Sequence, residues 1–198
     1  MTQDLTLRLA TAAVLISGLA ISIVYRARAD REGGALPQTP PGDQPSVALR
    51  IVASVLIWGT LVATLAIPGR LGFLVLPLPL VLRWLGLGVG AAAVLLVLWV
   101  MRSIGSNVSP SSATRQGATL VTHGPYRFVR HPLYTVGVLM LLGLGLAAQS
   151  LGLLIVVASI ALWLPSRVRH EERHLLAAHG DAYRHYIQTT GRFLPRLW

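Results

Sequence analysis

The sequence predicts an all-α integral membrane protein with about five transmembrane helices, the last two forming a hairpin that leads into a polar tail. Three observations predict it. Hydrophobic residues make up 54% of the 198 positions and charged residues 12%, a balance foreign to ordinary soluble domains. Several uncharged runs approach the roughly 20 residues needed to cross a hydrocarbon core. All 17 basic residues are Arg, and they gather between and beyond those runs. The length fits a single membrane domain over residues 1–198.

Leu9 to Tyr25 is the first apolar segment. Asp4 and Arg8 precede it, whereas Arg26, Arg28 and Arg31 follow. That bias suits an anchor with its N-terminus outside. Ala27-Arg28-Ala29 loosely matches a cleavage pattern, but the charges are reversed for a signal peptide, and no cleavage is expected. Gly33 to Pro45 holds four prolines and three glycines, the composition of a loop. Val47 to Ile67 is the second span. Pro68 to Pro79 is apolar but broken by Pro68, Pro77 and Pro79, which predicts a short re-entrant or interfacial segment. Trp84 to Met101 is the third span, so residues 1–101 hold three and residues 102–198 the rest.

Leu133 to Leu164 runs for 32 residues without a charge. As one helix it would measure about 48 Å, too long for a single crossing of about 30 Å. Gln149 and Ser150 lie midway, so two spans are expected to turn there. With five crossings and the C-terminus cytoplasmic, fourteen arginines fall inside and only Arg8, Arg70 and Arg83 outside. The expected location is therefore the bacterial cytoplasmic membrane, multi-pass, with the tail in the cytoplasm.

A formal net charge of +10 invites comparison with nucleic-acid binders. The arginines are dispersed over the loops without interleaved aromatics, so they report topology and attraction to membrane lipids, and no nucleic-acid partner is expected. The absence of Cys excludes disulfides, thiol nucleophiles and thiolate metal sites.

Two dense polar clusters flank the hairpin. The first reads GPYRFVRHPLY, from Gly124 to Tyr134; the second, RVRHEERHLL, holds Arg167, His170, Glu171 and Glu172. Polar groups gathered beside apolar spans mark a functional site. The order of motifs resembles the isoprenylcysteine carboxyl methyltransferase family and is similar to the related phospholipid methyltransferases. An RHPxY box is followed by EExxL, an aromatic-Gly-x-x-Tyr run and a basic-aromatic-Pro ending, over Thr119 to Pro195. His179 stands where that family usually has Phe or Tyr before the glycine.

The resemblance implies methyl transfer from S-adenosylmethionine to a lipid-like or prenylated acceptor, with the cofactor held by the tail at the cytoplasmic face. Carried over by position, Ala118, Thr119, Leu120, Val121 and Tyr126 line the cofactor pocket. His131, Pro132, Leu133 and Tyr134 form its second wall, Glu171 holds the cofactor from across the hairpin, and Arg167 faces the acceptor as the catalytic residue. Sterol- and steroid-type membrane reductases, which use NADPH, have a similar C-terminal region. Their box usually carries Asn between Pro and Tyr, where this chain has Leu133. A silent membrane module that binds lipid or protein is the third class.

The same side chains suit the chemistry that the resemblance implies. Methyl transfer from a sulfonium needs alignment and exclusion of water rather than a metal. A cofactor bearing carboxylate, ammonium, hydroxyls and a cationic sulfur calls for Arg or His donors, carboxylates and aromatic faces. Arg130, His131, Tyr126, Tyr134, Glu171 and Glu172 supply them. Pro132 bars helix at His131 and so places that imidazole at the start of a span. Arg167 and Glu171, four apart, share one helix face.

Taken singly, these residues have plainer readings. Arginines report topology, Glu171 and Glu172 pair with neighbours along a solvated helix, and Tyr126 and Tyr134 join the interfacial aromatic belt with Trp58, Trp84, Trp99 and Trp163. His170 and His174 have i,i+4 spacing but no HExxH context, so no metal is expected. Gly86, Gly88, Gly90, Gly143 and Gly145 suit close helix packing. Ser106, Asn107 and Ser109 are weak cofactor candidates. The joint order of the motifs, not any one residue, favours the site.

Overall fold

Each run expected to span falls on a helix among the described residues, because backbone polar groups inside a bilayer must be satisfied within their own segment. The computed structural model describes residues 2–32, 44–66, 74–108 and 119–196. In chain order the helices are α1 (Thr2–Glu32), α2 (Gln44–Ala66), α3 (Leu80–Ile104), α4 (Pro132–Ala147) and α5 (Leu151–Thr189), with 3-10 turns at Gly105–Asn107 and Gly124–Arg127. Among the described residues, three stretches are long and apolar enough to cross a membrane: Gln3–Glu32, Leu80–Asn107 and Leu151–Thr189. The apolar helix α4, Pro132–Ala147, is shorter. The 16 residues of α4 make about 24 Å of helix.

Several boundaries differ from the sequence expectation. Helix α1 continues beyond Tyr25 through its arginines to Glu32. Helix α3 starts at Leu80, four residues before Trp84. Helix α5 does not stop at Leu164 but runs on with Pro165 inside it, carrying the second polar cluster on the same rod as the span. Most of the expected loop between α1 and α2 lies outside the described residues, as does the first half of the Pro68–Pro79 segment.

The described remainder, Leu74 to Pro79, lies across the hairpin turn. Val75 bridges Ser150, the Leu76 N–H donates to Gln149 O at 2.9 Å, and the Gln149 side-chain amide donates to Leu78 O at 3.3 Å. The turn itself falls at Ala148 to Ser150, where Gln149 takes a positive φ of 55° and the Ser150 hydroxyl accepts from Leu153 N at 3.2 Å to cap α5.

Helices α1 and α3 run parallel and pack on each other, and α4 returns antiparallel against α3. At one end Arg83 of α3 pairs with Asp4 of α1 at 2.6 Å and donates to Ala147 O at the end of α4. At the other end Ala29 packs with Val97, Val100, Met101, Tyr126 and Val136. Between the ends α3 and α4 cross almost backbone to backbone. A Cβ on Gly143 would lie 2.6 Å from Gly86 O, and one on Gly86 would lie 2.7 Å from the Leu146 Cβ. A second core of Leu15, Leu61, Leu144, Leu153 and Val157 joins α1, α2 and the hairpin. The hairpin thereby brings its two open ends, and both polar clusters, to the same end of the bundle as Ala29.

Candidate active site

The site starts from a backbone restriction. Pro132 occupies the first turn of α4, so His131 is held outside the helix at φ −124°, ψ 58°. Just before it, residues 129–131 pair side by side with the tail. Val129 bridges Gly191, Arg130 N–H donates to Gly191 O at 2.8 Å, and His131 N–H donates to Arg192 O at 3.1 Å. The Thr135 hydroxyl adds a bond to Phe193 O at 2.9 Å.

One buried carboxylate organises this junction. Glu172 accepts from Arg130 Nε at 2.9 Å and from Arg192 Nη2 at 2.6 Å, and lies 3.4 Å from His131 Nε2. Burial pushes its carboxyl up, but the neighbouring His131, Arg192 and Arg130 outweigh this and bring it down to about 2. Arg130 also donates to Ile187 O and Thr190 O, closing the last turn of α5. Glu172 thus ties the loop before α4, the long helix and the tail together.

Glu171 points elsewhere. It accepts from the Tyr134 hydroxyl at 2.9 Å, which joins the RHPxY box to the EExxL box across the hairpin. Arg167, one turn earlier on α5, is buried and also hydrogen-bonds Tyr134. Tyr134 in turn stacks on His131, with ring centroids 5.9 Å apart and planes 26° from parallel, and Phe193 covers the imidazole at 6.2 Å. Tyr126 is buried beside them, and its phenol is raised by burial, with Tyr186, Glu171 and Tyr134 adding to the effect.

The left-handed Gly180 (φ 53°) breaks the helical path of α5 and swings its last turns back under the cluster. There Tyr186 donates to Tyr126 O at 2.5 Å, and Tyr183 is buried with no hydrogen-bond partner for its hydroxyl among the described residues. Burial raises the Tyr183 phenol, with Glu172 and Glu171 acting in the same direction, so it remains a donor.

The structure therefore brings together Tyr126, His131, Pro132, Tyr134, Arg167, Glu171 and Glu172. Leu133 and Val121 flank them in the apolar cluster around Tyr126. Leu120 is half-buried, and Thr119 is exposed and tied to Asn107 by contacts of 3.3 and 3.4 Å. Ala118 and Ser109 lie outside the described residues. Sequence reasoning missed two neighbours. Tyr183 was visible as the tyrosine of the aromatic-Gly-x-x-Tyr run, and Arg26 of α1, which interacts electrostatically with Tyr134, carried no signal beyond topology. His170 and His174 stand edge to face at 4.9 Å, and no set of three or more metal-ligating side chains forms among the described residues.

The chain is 43% identical over 84 residues to the cobalt-zinc-cadmium resistance protein CzcN of Cupriavidus metallidurans, covering 42% of this chain and 38% of that protein. It is 38% identical over 84 residues to the nickel-cobalt-cadmium resistance protein NccN of Alcaligenes xylosoxydans xylosoxydans, covering 42% and 39%. These matches span about two fifths of the length of each curated relative. The fold is similar to that of the eukaryotic intramembrane Ras methyltransferase ICMT, isoprenylcysteine carboxyl methyltransferase, with a TM-score of 0.56 at 24% identity over 75% of this chain and 52% of that one. The family model described as phospholipid methyltransferase matches residues 81–182, just over half of the chain and including both polar clusters. The motif resemblance read from the sequence thus holds, and the chain is an integral membrane protein that belongs to the phospholipid methyltransferase family.

Proposed function

We propose that the protein transfers the methyl group of S-adenosylmethionine to a lipid-like or prenylated acceptor, by O-methylation of a carboxylate at the cytoplasmic face. The observation that carries this is the Tyr134–Glu171 bond at 2.9 Å with Arg167 beside it, which unites the two motif boxes into one half-buried polar cluster. The donor set fits the cofactor. Glu171 engages one carboxylate oxygen in that bond, the Tyr183 hydroxyl is buried and unpartnered among the described residues, and the His131 and Tyr134 rings offer aromatic faces.

When bound, S-adenosylmethionine supplies a methyl group on a cationic sulfur. Glu171 accepts hydrogen bonds from its ammonium or hydroxyls, and Tyr183 donates to one of its acceptors. Tyr126 and Tyr134 present faces suited to the sulfonium. Thr119, Leu120 and Val121 make one wall, and His131, Pro132 and Leu133 the other. Glu172, occupied by Arg130 and Arg192, keeps those walls together from behind. Arg167 sits near the membrane end of the polar stretch, where its guanidinium neutralises and orients the acceptor carboxylate while the acceptor chain stays in lipid. Catalysis is then alignment of the acceptor with the methyl group in a site from which water is excluded.

The description of the matched family favours a second reading, N-methylation of a phospholipid amine. Incubating membranes with methyl-labelled S-adenosylmethionine separates the two. A base-labile labelled lipid ester supports O-methylation, a base-stable labelled amine supports the second reading, and no protein-dependent label in any lipid extract would sink both.

A further inference from the structure

A second polar cleft lies on the other side of α5. Ser166, Arg169, Arg173 and Leu176 recur every three or four residues and so share one helix face, whereas Arg167 and Glu171 project from roughly the opposite one. Ile187 and Arg192 from the returning chain, with the edge of Glu172, close a cleft of about 550 Å³ against that face.

Its charge is lopsided. Arg169, Arg173 and Arg192 line it, and Glu172, the one carboxylate among the lining residues, is already shared between Arg192 and Arg130. Each guanidinium also keeps donors in reserve, since each carries five N–H groups. Arg169 engages Nε with Pro165 O at 3.2 Å, Arg173 engages one terminal nitrogen with His170 Nδ1 at 3.2 Å, and Arg192 Nε is buried without a partner among the described residues. Convergent guanidinium forks with too few carboxylates suit a tetrahedral oxyanion.

Depth points to where that anion comes from. Ser166 and Arg169 follow directly on the apolar half of α5, where Leu162 is 83% exposed in the absence of a bilayer and so faces lipid. The mouth of the cleft therefore lies at headgroup level, where basic pockets beside spans meet anionic lipids.

We propose that this cleft is a phosphate site, taking either the phosphodiester headgroup of an anionic membrane lipid or inorganic phosphate. An occupant held by Arg169 and Arg173 on one side and Arg192 on the other ties α5 to the tail. Phe193, next to Arg192, covers His131 in the candidate active site, so occupancy braces a wall of that site without touching its reactive side. This assignment stands on the cleft and does not depend on the methyl-transfer chemistry.

The test is thermal unfolding of the full chain in neutral detergent with added phosphatidylglycerol, phosphatidylcholine or inorganic phosphate, at matched ionic strength. Phosphatidylglycerol or inorganic phosphate should stabilise the wild type, and whichever does so names the source. The exposed pair R169Q/R173Q should weaken that ligand at least tenfold, whereas R184Q, at an exposed arginine paired with Asp181, should leave it unchanged. Native mass spectrometry of the wild type should show retained phosphatidylglycerol, or its displacement by phosphate, and needs no variant to fold. Equal stabilisation by phosphatidylcholine, equal binding by R169Q/R173Q, or an equal loss in R184Q would overturn the site.

Discussion

Glu171 and Glu172 are adjacent in the chain yet do different work, because neighbours on a helix point about 100° apart. Glu172 is buried among three basic side chains and holds structure, while Glu171 meets Tyr134 and faces the proposed cofactor. Glu171→Gln is expected to weaken S-adenosylmethionine by about tenfold to a hundredfold in calorimetry, the loss of a charged hydrogen bond worth about 1.5–3 kcal/mol. Arg167→Ala should instead depress turnover by orders of magnitude and leave cofactor affinity within a few-fold. The opposite split between the two variants would exchange their roles. Glu172 carries a pH signature. Its folded carboxyl lies at about 2, below the ordinary 4.5. Its contribution is therefore complete above about 4.5 and drains away as pH falls towards about 2. Acid unfolding followed by tyrosine fluorescence should show this component, and Glu172→Gln should abolish it.

Among the elements, the crossing of α3 and α4 and the length of α5 decide most. At the crossing, small residues replace side-chain contact with backbone contact, the usual way apolar helices associate in lipid. Gly143→Ala must push Gly86 O away from 2.6 Å, with a cost of about 1–3 kcal/mol for overpacking. Thermal unfolding in detergent should register that loss, whereas Gly88→Ala, where a Cβ meets nothing within 4 Å, should be neutral. Helix α5 carries span and site on one rod. Pro165 removes one hydrogen bond without ending it, and Gly180, not Pro165, is where the path turns. That turn puts Tyr183 and Tyr186 beneath the cluster.

For the whole molecule, the parallel α1 and α3 and the antiparallel hairpin set two ends, one marked by Arg83 and the Gln149 turn, the other by His131 and Glu172. The proposed orientation puts the second end in the cytoplasm, since most arginines lie there. Cysteine at Val75, exposed over the turn, should react with an impermeant thiol reagent applied from outside intact cells. Cysteine at Ala178, exposed on the far part of α5, should react only after the membrane is opened. The reverse pattern would invert the topology.

Hydropathy alone was enough to mark the helices and the turn at Gln149-Ser150, because crossing a bilayer demands long uncharged helices and little else. Motif order likewise exposed His131, Tyr134, Arg167 and Glu171, and Pro132 announced the break before α4 from local sterics. The division of labour between the two glutamates was not legible. It depends on Arg192, twenty residues further on, returning to Glu172, which only the bend at Gly180 and the pairing of residues 129–131 with the tail make possible. Tyr183 joined the candidate site through the same bend, and Arg26 through the approach of α1 to Tyr134 of α4. Periodicity describes one helix at a time, whereas a site between elements is decided by which faces meet.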